Sequence, residues 1–181
     1  MTYEFVPDEK DYLNYLYYVT TKSQKVRKKR AMNKLVILFL YFIAGLFLYN
    51  SQGPVNAGIF FLLCLPVYFL YGYFEKRQYL RHFTKYIKAN YSQEIGVHTT
   101  IDSDGEGISI SVGDSKTKMA WSEVVKINET GELLLIEEKN QNAIVIPKQK
   151  TNHAGELISE LKAIASDHNI QYITELDWKW K

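Results

Sequence analysis

Forty consecutive residues of this 181-residue chain, from Leu35 to Phe74, contain no Asp, Glu, Lys, Arg or His. A helix in an ordinary soluble globule keeps a polar face for water, so this stretch excludes that class. At about 1.5 Å per residue it makes about 60 Å of helix, roughly two crossings of a hydrocarbon core about 30 Å thick. Cysteine is nearly absent too. The single Cys64 has no intrachain partner, which excludes a disulfide framework. The four histidines, His82, His98, His153 and His168, are widely separated and share no ligand spacing with Cys64, so no metal site is expected. A Gly-rich phosphate loop, a zinc-protease helix and a nucleophile elbow are also missing, and neither a cofactor nor catalysis is expected.

The uncharged stretch is interrupted near its middle by Asn50, Ser51, Gln52, Gly53, Pro54 and Asn56. These residues favour turns, and their polar groups are costly to leave unpaired in lipid. The pattern predicts a transmembrane helical hairpin over residues 33–74, with spans at about 33–49 and 57–74. Both spans are near the ~17-residue lower limit, and Pro66 is expected to kink the second mildly. No cleavable leader is expected, because the first apolar run starts beyond residue 30 and lacks a small-residue cleavage site.

Orientation follows from the basic residues. Lys25, Arg27, Lys28, Lys29 and Arg30 precede the first span with no acid among them, and Lys76 and Arg77 follow the second beside the lone Glu75. The positive-inside bias makes these residues topology determinants, with both termini cytoplasmic, the loop outside, and the lipid bilayer as first partner. A nucleic-acid partner is not expected from a basic cluster in that position. Tyr41, Tyr49, Tyr68, Tyr71 and Tyr73 are candidate interface anchors.

Residues 1–32 read as an amphipathic, then basic, cytoplasmic segment. Pro7-Asp8-Glu9-Lys10-Asp11 starts a helix with acids at its positive end, and Tyr12, Leu13, Leu16, Tyr17 and Val19 form an apolar side. Residues 75–90 read as a basic juxtamembrane helix, with Leu80, Phe83 and Ile87 at helical spacing. Both are expected to lie on or rise from an anionic leaflet.

Charge changes sign at residue 90. Residues 1–90 carry 13 basic and 5 acidic side chains, a balance of +8, and residues 91–181 carry 9 basic and 15 acidic, a balance of −6. The second part alternates like strands: Ile95 to Ile101, Ile108 to Val112, Thr117 to Trp121, Val125 and Ile127, Leu133 to Ile136, and Ala143 to Ile146. Asp104-Gly105 and Gly113-Asp114 supply turns, and Asp102 to Gly107 fits a hairpin better than a calcium loop, since the closing bidentate Glu is absent. A helix fits Gly155 to His168. The expectation is an α+β membrane protein whose residues 91–181 form a cytoplasmic PH-like antiparallel sheet or barrel capped by one helix.

Two short stretches carry a family resemblance: Trp121-Ser122-Glu123-Val124-Val125-Lys126-Ile127 and Ile146-Pro147-Lys148. With the order of parts, from Glu9-Lys10-Asp11-Tyr12 through the hairpin to the strand-rich domain, they resemble the YcxB-like proteins, bacterial membrane proteins of unestablished function. The resemblance implies a bacterial inner-membrane location and a PH-like fold, and supplies no catalytic residue. Trp121, Ser122, Glu123, Ile127, Ile146, Pro147 and Lys148 read as structural family positions.

Ser122, Glu123 and His98 could be drawn as a triad, yet Trp121-Ser122-Glu123 fits a strand junction with Trp121 in the core. Asn90-Tyr91-Ser92 and Asn128-Glu129-Thr130 match glycosylation triplets, accidental if cytoplasmic. The terminal Leu176, Trp178, Lys179, Trp180 and Lys181 suit either a last strand whose tryptophans cover the sheet, or the membrane interface or a partner surface. The function expected is a non-catalytic inner-membrane protein whose PH-like domain binds a protein partner or another copy of itself. A protein neutralising a membrane-directed toxin is the alternative.

Overall fold

The computed structural model describes residues 2–140 and 142–180, without the side chains of Cys64, Leu65, Val67, Tyr68 and Phe69. The readings made of the Cys64 and Tyr68 side chains and of Lys181 lie outside the described residues. In chain order the elements are β1 (Thr2–Phe5), α1 (Glu9–Lys22), α2 (Gln24–Gln52), α3 (Pro54–Asn90), β2 (Thr99–Ser103), β3 (Gly107–Val112) and β4 (Ser115–Ala120). A 3₁₀ turn (Trp121–Glu123) then leads to β5 (Val124–Thr130), β6 (Leu133–Glu138), β7 (Ala143–Pro147), α4 (Ala154–Asp167) and β8 (Gln171–Glu175). The result is a mixed α+β fold that divides into two compact units, Met1–Tyr18 with Thr84–Lys181, and Val19–Phe83.

The first unit holds two four-stranded sheets, ordered β1-β2-β3-β4 and β7-β6-β5-β8. Among the described residues they do not close into one barrel. Alternation decides their faces: Tyr3, Phe5, Ile101, Ile108 and Met119 from the first sheet meet Ile127, Leu134, Ile136 and Ile146 from the second in one core. The Leu157, Leu161 and Ala165 stripe of α4 belongs to the same core, as its 3.6-residue spacing requires. A second cluster lies on the opposite face of the second sheet, where Leu133, Leu135 and Val145 meet Tyr12, Tyr15 and Tyr18 of α1 and Ile87 of α3.

The N-terminal residues correct the sequence reading. β1 pairs antiparallel with β2, from Thr2 opposite Asp102 to Phe5 opposite Thr99. Residues 2–18 therefore belong to the same compact unit as residues 84–181. Four residues are too short a run for periodicity to separate from a loop, but Tyr3 and Phe5 are 1% and 4% exposed and fill the core. Asp8 and Asp11 start α1 reciprocally, each carboxylate accepting the other's backbone N–H at 3.0 and 2.8 Å.

The C-terminal end also differs. β8 ends at Glu175, before the tryptophans, and pairs in parallel with β5. α4 is the crossover that makes this parallel pairing feasible, since β7 and β8 run the same way. Ile95 belongs to the turn before β2 and not to the strand.

In the second unit the expected loop at residues 50–56 shrinks to Gly53. The polar residues around it satisfy themselves within the helices: Ser51 Oγ donates to the Phe47 carbonyl at 2.9 Å and Asn56 Nδ2 to the Gln52 carbonyl at 3.1 Å. Gly53, at φ 87°, ends α2 with its N–H on the Tyr49 carbonyl, and Pro54 opens α3 where a missing N–H is harmless. α2 and α3 are continuous through both basic flanks, about 43 and 55 Å long at 1.5 Å per residue. Tyr41 stacks on Phe60 at 4.6 Å, and Phe61 abuts Gly45, where a Cβ would meet its ring. α2 is long and apolar enough to cross a membrane, with a mean hydropathy of 2.1 over its best window and 6% of that window buried. In α3 the apolar run among the described residues is Pro54–Leu63.

Because α1 covers Leu133, Leu135 and Val145, residues 91–181 expressed alone should expose that face. We expect such a fragment to bind a hydrophobic dye and unfold without a sharp urea transition. A sharp transition with no dye binding would mean that β1 and α1 are dispensable.

Candidate functional site

The first sheet sets its side chains in cross-strand rows. Phe5, Thr99, Val112 and Ser115 are successive partners, as are Tyr3, Ile101, Ile110 and Thr117. One end of this inner face is covered by core. At the other end Ile110, Val112, Ser115 and Thr117 face an open cleft of about 480 Å³, bounded across from them by Ala143, Ile144 and Val145 of β7. Its end wall holds Tyr12, Tyr91 and Glu94. Tyr12 stacks on Tyr91 at 4.4 Å and donates its hydroxyl to Glu94 at 2.6 Å. Burial first, then that hydrogen bond, pushes the Tyr12 phenol well above its usual range, so it remains a donor.

β7 presents backbone to this cleft. Glu138 N–H bonds the Asn142 carbonyl and Lys148 N–H the Glu132 carbonyl, both at 2.9 Å, which fixes the alternation of the β6–β7 ladder. Ile144 and Ile146 therefore exchange bonds with β6, and Ala143 and Val145 turn their N–H and C=O groups away from it. Pro147 takes the next outward position, where a proline is tolerated. Two other sheet edges are guarded. Asn152 takes both the N–H and the C=O of Glu4 on β1, at 2.7 and 3.1 Å, and Lys116 and Lys118 lie along β4. β7 carries no charged side chain. The cleft lining contains Glu94 and Glu138 and no basic residue among the described residues.

Trp121 is 1% exposed, and its Nε1–H donates to the Asp104 carbonyl at 2.8 Å, tying the 3₁₀ turn to the β2–β3 hairpin. In that hairpin the Asp104 carboxylate accepts the Gly107 and Glu106 N–H groups and pairs with Lys118, which together hold it below the usual carboxylate range. Ile127 and Ile146 are core residues, and Pro147 closes β7 with its carbonyl accepting from Thr151 Oγ1 at 2.8 Å. Ser122 and Glu123 are exposed, and His98 lies against Glu4 at 3.5 Å. Asn128, of the second glycosylation triplet, is 1% exposed and accepts from Tyr18.

Trp178 and Trp180 are half-buried within the domain. Trp178 meets Tyr18 edge-on at 5.3 Å and Trp180 lies on Tyr17 at 4.6 Å. They lie on tyrosines of α1 and follow the end of β8, which corrects the last strand expected of them. In the second unit Lys25, Arg27, Lys28, Lys29, Lys76 and Arg77 are exposed along α2 and α3, while Arg30 is bound by Glu75 through two 3.0 Å hydrogen bonds.

Glu129 has a part that the sequence reading did not assign. It is 5% exposed and accepts from Lys148 at 3.0 Å and Tyr172 at 2.8 Å, with Lys162 at 3.3 Å, so one carboxylate ties β5, the end of β7, α4 and β8 together. The signal was an acid two residues after Ile127, on an otherwise apolar inward face. Burial works to raise its pKa, but Lys148, Tyr172 and Lys162 outweigh burial and hold it below its ordinary 4.5. Among the described residues no group of three or more His, Cys, Asp or Glu could hold a metal ion.

A mixed α+β domain with an apolar helix in the same chain is thus the class defined by the fold. Residues 104–165, from the β2–β3 hairpin into α4, match the family model described as YcxB-like protein. No curated protein and no solved structure matches the chain.

The stability contributed by Glu129 is complete above pH 4.5, its unfolded value, and is lost as pH falls through its lower folded value. Glu129→Gln should remove that part of the acid dependence and cost about 1–3 kcal/mol at pH 7, measured by urea unfolding at several pH values. An unchanged acid profile would show that other carboxylates carry it.

Proposed function

We propose that this is a membrane-anchored, non-catalytic module whose domain captures an extended segment of a partner protein in the cleft beside β7. One observation carries the reading. The outward N–H and C=O groups of Ala143 and Val145 border a cleft with apolar walls, which is what strand addition needs. Residues 1–18 and 84–181 hold 12 basic and 19 acidic side chains, a balance of −7, and Glu94 and Glu138 put acids in the cleft itself. The occupant that fits is a strand-forming segment in which apolar residues alternate with lysine or arginine.

The domain order supports a PH-like reading, with seven strands in two sheets followed by α4 and with α1 to α3 inserted between β1 and β2. The anchor in this reading is the α2–α3 pair as a transmembrane hairpin in a bacterial inner membrane, both termini cytoplasmic. The charge-free stretch and its basic flanks support that arrangement.

A photocrosslinking amino acid at Thr117, used in native membranes, should capture a foreign protein. Ala143→Pro, which removes one outward N–H at the start of an edge strand, should abolish capture without shifting the thermal transition. Capture of other copies of the chain alone would make it self-assembling, and no capture would sink the reading. For topology, Cys at Asn56 should react with an impermeant thiol reagent on intact cells and Cys at Ser159 should not. The reverse pattern would overturn the orientation.

A further inference from the structure

We propose that the pocket between α2 and α3 binds a phosphate group, supplied by the headgroup of an anionic phospholipid. The proposal rests on the membrane reading of the helix pair, but its site is separate from the cleft. Residues 19–83 carry 10 basic side chains and one acid, Glu75. That acid is already satisfied: Glu75 is 7% exposed, and Arg30 Nε and Nη2 each donate to one of its oxygens at 3.0 Å. The bidentate pair fixes α2 against α3 and removes the one negative charge that would repel an anion here.

Beside this pair lies an open pocket of about 310 Å³, lined by Lys29 and Asn33 of α2 and by Gln78 and His82 of α3, with the Tyr71 and Tyr79 side chains and Glu75. Lys29 and Asn33 are four residues apart, as are Gln78 and His82, so each helix points two polar side chains from one face into the same space. An ammonium, two amides and an imidazole offer N–H groups to phosphate oxygens, and Lys29 has no ion pair among the described residues. Lys34 adds a further cation, its Nζ 6.0 Å from the centre of the Tyr71 ring.

Position selects the source of the phosphate. Asn33 is two residues before the charge-free stretch and Gln78 four residues after it, so in a bilayer the pocket falls where hydrocarbon gives way to headgroups. Basic pockets between membrane helices on the cytoplasmic side are suited to anionic headgroups, and each basic residue there contributes about 1 kcal/mol of attraction.

The test uses the full chain in lipid nanodiscs of phosphatidylcholine with a minority of phosphatidic acid, reading retained lipid by native mass spectrometry. Wild type should keep one phosphatidic acid per chain. Lys29→Ala with His82→Ala should weaken retention about tenfold, while Lys25→Ala with Lys76→Ala should leave it unchanged. Absence of both lipid retention and phosphate binding in wild type, or equal loss in both double variants, would overturn the site. In discs of phosphatidylcholine alone, inorganic phosphate serves as the second probe. Phosphate binding that depends on Lys29 and His82, without phosphatidic acid retention, would overturn the lipid as source and keep the phosphate site. Normal entry into discs without retention would defeat this proposal alone, whereas failure to enter discs would defeat the membrane reading beneath it.

Discussion

The pairing of β1 with β2 is the contact on which the rest of the domain depends. Phe5 and Thr99 face each other across ninety-three residues of chain that include all of α1, α2 and α3. Closing so long an excursion costs conformational entropy, though only logarithmically with its length. The return comes from burial: Tyr3 and Phe5 enter the shared core, and Tyr12, Tyr15 and Tyr18 of α1 cover the back of the second sheet. Both ends of the helix excursion are thereby anchored in one folded unit. The cleft beside β7 exists because that same pairing sets Phe5 and Thr99 at its wall.

Charge is distributed along the same division. Cutting the chain at residue 90 gives +8 and −6, and dividing it by its compact units sharpens this to +9 for residues 19–83 and −7 for the remainder. Lys10, Lys85 and Lys88 belong with the acidic domain, as do Glu4, Asp8, Glu9 and Asp11. The one acid left in the basic unit, Glu75, is the one held by Arg30. Acids in the domain are used structurally as well: Asp8 and Asp11 share Lys150, and Glu129 gathers Lys148 and Lys162. Each of these ion pairs joins parts of the chain remote in sequence.

Much of the fold was legible where a pattern repeats for long enough. The runs at Ile108 to Val112, Leu133 to Ile136 and Ala143 to Ile146 are strands, and the stripe of Leu157, Leu161 and Ala165 is the buried face of α4. Trp121 is in the core at a strand junction, as its neighbours suggested. Legibility failed where the deciding partner is remote. Four residues at Thr2–Phe5 show two periods of alternation, and only the waiting edge of β2 makes them a strand. Trp178 and Trp180 alternate like strand residues, yet the tyrosines of α1 hold them in irregular chain.

By itself the sequence determined the local matters: the charge-free stretch and its basic flanks, the helix at α4, the hairpins at Asp104 and Gly113, and the family stretch. Each depends on side chains within a few residues of one another, where periodicity, capping and turn chemistry act. Tertiary structure alone decided which edges pair, that β8 lies parallel to β5, that Glu129 is a hub, and that β7 keeps its outer groups open to a cleft. These outcomes compare one distant burial against another, and no local pattern encodes the difference in apolar area that settles them.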